Sequence, residues 1–154
     1  GRTPSGGLRS MFLGEYQHTL DAKGRITLPS RLRDALDGDS LIITRSVDPC
    51  LTAYPLVQWK TYAEKVAQTP VSNELARRYR RIVFGGAQEV TLDKMGRVLL
   101  PAFLRDHAQI AEEVVFVGMG DHIEIWTPER WRQEQAEAGG QKPDIEAEMS
   151  RLGV

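Results

Sequence analysis

Residues 21–34 read DAKGRITLPSRLRD, and residues 93–106 read DKMGRVLLPAFLRD. The two segments are 72 positions apart, and aligning 18–36 with 90–108 at that offset gives ten identities in nineteen positions. Carried on without a gap, the same offset pairs Ile42-Ile43 with Val114-Val115, Leu51 with Ile123, Tyr54 with Trp126 and Trp59 with Trp131. Short periods indicate solenoids. Two copies at this longer spacing predict a duplicated small domain whose copies pair about a pseudo-twofold axis, a dimer built into one chain.

Each copy carries the same local signals. Alternation at Tyr16, His18 and Leu20, matched by VTL at 90–92, predicts a first strand. Asp21 and Gly24, like Asp93 and Gly96, suit a type I turn followed by a left-handed residue in a short hairpin, and only glycine adopts that conformation cheaply. Return strands follow at 25–28 and 97–100. Pro29 and Pro101 then suit the first turn of a short helix, lined in the first copy by Leu28, Leu32 and Leu36. Two further strands flank SVDP in the first copy and GMGD in the second, and Pro55 or Pro128 opens a helix carrying Trp59 or Trp131. Thr127 is a candidate cap for the second of these helices. Between the copies, Ser72 is positioned to cap a helix NELARRYRRIVF that stops at Gly85-Gly86.

These signals divide the chain into five parts. Residues 1–10 are polar and read as a non-native leader ahead of a natural start at Met11; residues 15–57 form the first domain and 58–86 a helical linker. Residues 87–130 form the second domain, and 131–154 the end of a helix and a polar, acidic tail expected to be mobile or packed on another subunit. The expected class is α+β: two tandem halves related by a pseudo-twofold, with flanking short helices.

Composition narrows the function. The 154 residues are 41% hydrophobic, enough for one ordinary core or two small ones. No apolar run reaches membrane-spanning length and no export leader is expected, so no membrane partner is predicted. A single cysteine, Cys50, fits a reducing compartment, and the expected location is cytoplasmic. The net charge of −1 hides an asymmetry. Residues 11–81 hold eleven Lys and Arg against eight Asp and Glu, whereas residues 82–154 hold seven against thirteen. A nucleic-acid reading therefore needs its positive charge to be local.

Enzymatic chemistry finds little support. His18, His107 and His122 stand apart without metal-ligand spacing, so neither a metal nor a cofactor is predicted. No nucleophile elbow or phosphate loop is present. Asp21 and Asp93 could form a carboxylate pair across the twofold, but their place at the start of a turn explains them as acceptors of turn backbone bonds that also hold the arginine four residues on. The arginines say more. Arg25 and Arg97 leave equivalent turns and would emerge side by side, and Lys23, Arg31 and Arg33 add charge around the first. Arginine on a rigid β element can read guanine O6 and N7 while lysine neutralises phosphate. The competing reading is a surface Asp–Arg bridge worth at most about 1 kcal/mol. The ARRYRR run at 76–81 reads as the solvated or interface face of the linker helix, with Leu75, Tyr79 and Ile82 packing and Arg77 and Arg81 outward. Trp59 and Trp131 read as packing anchors.

MFLGEYQHTLDAKGRITLP, with the later LDKMGRVLLP, closely resembles the MraZ family of bacterial transcriptional regulators, and the match runs from Met11 to about Glu137. The resemblance implies two tandem SpoVT-AbrB-like domains, a fold similar to the AbrB and MazE type in which swapped hairpins interlock into a small β-barrel, and ring-shaped homo-oligomers. It also implies nucleoid association and sequence-specific binding of double-stranded DNA at direct repeats in the promoter of the division and cell-wall gene cluster that contains the protein's own gene. The family's motif falls on Asp21 and Arg25 and on Asp93 and Arg97, with the arginines facing DNA; Lys23 and Arg31 join them on charge and position. Lys23 is matched by Met95 and Arg31 by Phe103, so the first copy is expected to dominate recognition. The alternative is an antitoxin-like protein-binding module built on the same hairpin fold.

Overall fold

The computed structural model describes residues 10–154. The leader assigned to residues 1–10 thus lies, apart from Ser10, outside the described residues. The chain forms β1 (Glu15–Thr19), β2 (Arg25–Thr27), α1 (Ser30–Ala35), β3 (Ser40–Arg45), β4 (Leu51–Pro55), α2 (Leu56–Ala67) and α3 (Glu74–Gly86). The second copy gives β5 (Gln88–Thr91), β6 (Arg97–Leu99), α4 (Ala102–Ala108), β7 (Glu113–Gly118), β8 (Ile123–Trp126), α5 (Pro128–Gly139) and α6 (Lys142–Arg151).

The copies build one sheet in common. Its antiparallel order is β1-β7-β8-β4-β3-β5, so the first strand of each copy pairs with the third strand of the other, and β4 pairs with β8 across the middle. A separate two-stranded ribbon joins β2 to β6. In both cross-copy contacts on the axis the central pair is 72 apart: Ile26 faces Val98, and Thr52 faces Glu124. The sequence offset is thus a spatial twofold. Two expectations change. The Asp turn does not close a paired hairpin, because β1 goes to β7 and β2 to β6. Among the described residues the ladder ends at β1 and β5, giving a shared sheet with a ribbon packed on it rather than a closed barrel of bonded strands.

The offset also slips once. Ile42 pairs with Tyr54, but it is Val115, not Val114, that pairs with Trp126, the residue equivalent to Tyr54. Helix α4 is one residue longer than α1 and is capped by Gln109, whose φ of 56° is left-handed; the β7–β8 connection, 119–122, is then one residue shorter than 46–50. The two changes cancel, so Leu51 and Ile123 return to register. Alternation dictates the compensation, since a one-residue slip left uncorrected would turn a strand's apolar face to water.

The larger of two buried clusters holds the two copies together; the smaller joins Cys50, Val115, Val117 and Trp126. Ile26 and Val98 from the ribbon, Leu28, Leu32 and Leu36 from around α1, and Leu100 and Leu104 from around α4 cluster with Leu41, Ile43, Val114, Phe116, Ile123 and Ile125 of the sheet. Each such buried side chain contributes about 1.5–3 kcal/mol from apolar transfer. Helix α3 packs on β3, where Thr44 donates to the Val83 carbonyl and Arg45 Nε donates to the Ile82 carbonyl at 3.0 Å. Gly86 is required there, because a Cβ would come within 2.7 Å of Arg45 Nε. The cap of α3 is Asn73, which accepts from the Ala76 N–H, rather than Ser72; Thr127 caps α5 as expected. The acidic tail is helical over α6, with no buried residue.

Candidate nucleic-acid interface

The ribbon is the feature on which the motif residues converge. Ile26 and Val98 are fully buried, so strand alternation turns Arg25 and Thr27 of β2, and Arg97 and Leu99 of β6, to the opposite face. Arg25 lies opposite Leu99 and Thr27 opposite Arg97. Arg25 and Arg97 are therefore diagonal neighbours, roughly 7–8 Å apart at the backbone.

Each arginine is held by its own turn. Asp21 Oδ1 accepts the backbone N–H groups of Lys23 and Arg25, both at 2.9 Å, while Oδ2 accepts Arg25 Nε at 2.7 Å. Asp93 repeats this with Met95 and Arg97 at 2.9, 2.9 and 2.7 Å. Gly24 and Gly96 complete the turns at φ 80° and 76°. The bridge uses the Nε edge of each guanidinium. Among the described residues no hydrogen bond engages the Nη atoms of Arg25 or Arg97, and the side chains are 30% and 27% exposed. Each fork is thus oriented from behind and open in front. The Arg25 backbone N–H, then its guanidinium and the Lys23 N–H, hold the Asp21 carboxyl below the usual carboxylate range despite some desolvation, and Asp93 is lowered by the matching groups. A carboxylate kept ionised with three donors around it is suited to positioning an arginine, not to giving and taking a proton.

The turns also lock together. The Leu28 N–H donates to the Gly96 carbonyl at 2.8 Å and the Leu100 N–H to the Gly24 carbonyl at 3.0 Å. Arg33 of α1 crosses to the second turn, where a Cβ on Gly96 would lie 2.8 Å from its Cδ and Cζ. Arg105 of α4 crosses to the first, 3.2 Å from the equivalent point on Gly24, and its Nε donates to the Leu100 carbonyl at 3.1 Å. Sequence reasoning placed Arg33 in the cationic ridge; in the fold it and Arg105 brace the turns. Thr27 and Leu99 were not picked out, although alternation about the apolar Ile26 and Val98 was the signal that could have found them.

The remaining candidates separate by copy. Lys23 is exposed on the first turn and Arg31 exposed on α1; their counterparts Met95 and Phe103 are 65% and 43% exposed. Cys50 is buried, and burial pushes its thiol up, away from nucleophilic use. Among the described residues no three His, Cys, Asp or Glu side chains are grouped to hold a metal, and no helix is long and apolar enough to cross a membrane. In the linker, Arg77 bonds the Val71 carbonyl, Arg78 bridges Glu74 and Arg80 binds Ala67 and Thr69. Leu75 is exposed rather than packed, while Tyr79 reaches the Tyr62 hydroxyl. Trp59 packs on Tyr54 and Phe84, and Trp131 on Trp126 with its Nε1 donating to Glu15 at 2.7 Å, which are packing roles.

Known proteins resemble the chain over most of its length. A protein of Clostridium acetobutylicum named transcriptional regulator MraZ is 45% identical over 94% of this chain and 100% of its own length. One of Carboxydothermus hydrogenoformans with that name is 48% identical over 79% of this chain and 84% of its own length. One of Natranaerobius thermophilus, again so named, is 40% identical over 90% and 96%. The profile described as "MraZ protein, putative antitoxin-like" matches twice, over residues 11–82, stopping within α3, and over 83–152, stopping just past α6. With its motif repeated at Asp21–Arg25 and Asp93–Arg97 and both halves matched in tandem, the chain belongs to the MraZ family.

Proposed function

We infer that this chain is a DNA-binding transcriptional regulator that reads double-stranded promoter DNA with the outer face of the β2–β6 ribbon. One observation carries the reading: Arg25 and Arg97 emerge as neighbours on a rigid ribbon, each oriented through Nε by a turn carboxylate with its Nη pair open. A two-stranded ribbon fits the major groove, and a guanidinium fork held in place matches guanine O6 and N7. Lys23 and Arg31 supply phosphate contacts beside Arg25, and Asp21, Gly24, Asp93 and Gly96 shape the turns. The family name borne by the relatives supports the same reading.

The target is a set of direct repeats in the promoter of the division and cell-wall gene cluster containing the protein's own gene, and the protein works in the cytoplasm at the nucleoid. It acts as a homo-oligomeric ring. Two surfaces support head-to-tail assembly. Residues 56–86 carry six basic against two acidic side chains and expose Val57 and Leu75; residues 128–154 carry four basic against six acidic and expose Ile145 and Met149 on α6 and Leu152 at its C-cap. Repeated subunits then add modest local charge along repeated DNA sites, since linked engagements gain effective concentration.

Titration of labelled promoter DNA against a scrambled duplex, at low and moderate salt, tests this. Specific binding that weakens with salt by about 0.9 logarithmic units per released phosphate contact, per tenfold salt, is expected. Salt-independent affinity, or equal affinity for both duplexes, would contradict it, and a tightly copurifying protein in place of DNA would favour the antitoxin-like module instead.

A further inference from the structure

The ribbon's outer face is chemically lopsided. On the first turn and strand it carries Lys23, Arg25 and Thr27; at the equivalent places on the second it carries Met95, Arg97 and Leu99. Leu99 is 54% exposed and Met95 65%, although both occupy positions where the first half has polar side chains. Neither is needed to fill the core, which the ribbon completes with Ile26 and Val98 from its other face. Leu99 stands directly opposite Arg25 in the ladder, so its methyl groups lie beside the arginine whose fork is open.

We propose that Leu99, flanked by Met95, is a specificity residue that receives the C5-methyl group of a thymine on the base pair next to the one Arg25 reads. The proposal rests on the DNA-binding reading of the ribbon. In the major groove the thymine methyl is the one apolar mark among the base edges, and apolar side chains distinguish it by contact. Cross-strand side chains roughly 5 Å apart are of the same order as the 3.4 Å step between bases, so a guanidinium and a neighbouring leucine can address adjacent pairs. Apolar side chains here add nothing to phosphate neutralisation, which the first half's Lys23 is placed to supply. The two halves of the ribbon thus differ in what they add to their equivalent arginine forks: the first adds Lys23 beside phosphate, the second an apolar contact that only thymine satisfies.

The test uses the full chain and its footprinted promoter site, with thymines replaced one at a time by deoxyuridine, which removes the methyl and keeps every hydrogen-bonding group. At one position in each repeat the wild-type protein should lose roughly fourfold in affinity, the worth of one buried apolar carbon. Leu99→Ser should bind the thymine and deoxyuridine duplexes equally, while Met95→Lys, which alters only the flank, should retain part of the difference. A wild type indifferent to deoxyuridine at every position, while still binding its promoter specifically, overturns this inference and leaves the DNA-binding reading intact. So does a Leu99→Ser protein, folded by circular dichroism, that keeps the full fourfold discrimination. Absence of any promoter-specific binding removes both.

Discussion

The two halves of this molecule agree inside and disagree outside. Leu32 and Leu104 are equally buried, Ile26 and Val98 meet on the axis, and Asp21 and Asp93 make the same three bonds at the same distances. On the surface the equivalences fail: Lys23 is replaced by Met95, Thr27 by Leu99 and Arg31 by Phe103. Packing explains the first fact. A core shared by exchanged strands tolerates few differences between the halves, Leu36 against Ala108 being one of those in this cluster, because interiors are packed to crystal density. Nothing of the kind restrains the ribbon's outer face, where each half is free to suit its own contact.

The largest effects should be those that the symmetry makes equal. Leu32→Ala and Leu104→Ala should each cost about 2–5 kcal/mol, read as urea midpoints, and by similar amounts since both sites sit in one core. A large inequality would mean that the halves fold as separate units. The turns come next. Gly24→Ala and Gly96→Ala force a side chain into a left-handed conformation, at about 1–2 kcal/mol each. Gly96→Ala should cost more, because it must also displace Arg33, whereas the corresponding Arg105 atom near Gly24 is 0.4 Å more distant, at 3.2 against 2.8 Å. Equal melting shifts would break that distinction.

A smaller effect is acid sensitivity. Because folding lowers the Asp21 and Asp93 carboxyls, chiefly through the Arg25 and Arg97 backbone N–H groups, the stability they supply is present above the unfolded value of about 3.9 and is lost as pH falls through the lowered folded value. Thermal scans between pH 7 and 5 should therefore show no change from this source, with loss setting in below about pH 4. Asp21→Asn should flatten half of that loss; an unchanged acid limb would show that the carboxylate does not hold the turn.

Much of this architecture could be read before any coordinates. The offset of 72, the Asp and Gly of each turn and the leucines of α1 are short-range patterns, and local backbone chemistry dictates them. What escaped was tertiary. No residue in DAKGR says that β1 will pair with β7 instead of with β2, since both partners offer the same backbone groups and the choice depends on where the second copy packs. The slip between Val114 and Val115 was hidden because neighbouring valines make both alignments equally apolar. Arg33 read as surface charge because its route to Gly96 crosses between copies. At the candidate site, the motif arginines were identified from spacing, whereas the outward Thr27 and Leu99 needed the burial of Ile26 and Val98 to assign the faces.

The comparison of halves is tested most directly by titrating promoter DNA against Arg25→Ala and Arg97→Ala side by side, with oligomer size checked on the same samples. Each truncation removes an equivalent fork, worth about 1–3 kcal/mol per bidentate base contact and multiplied over the subunits engaged. Arg25→Ala, flanked by Lys23, should abolish promoter-specific binding with assembly intact, and Arg97→Ala should weaken it less. Wild-type affinity in Arg25→Ala, or a greater loss in Arg97→Ala, would contradict the assignment of recognition to the first half of the ribbon.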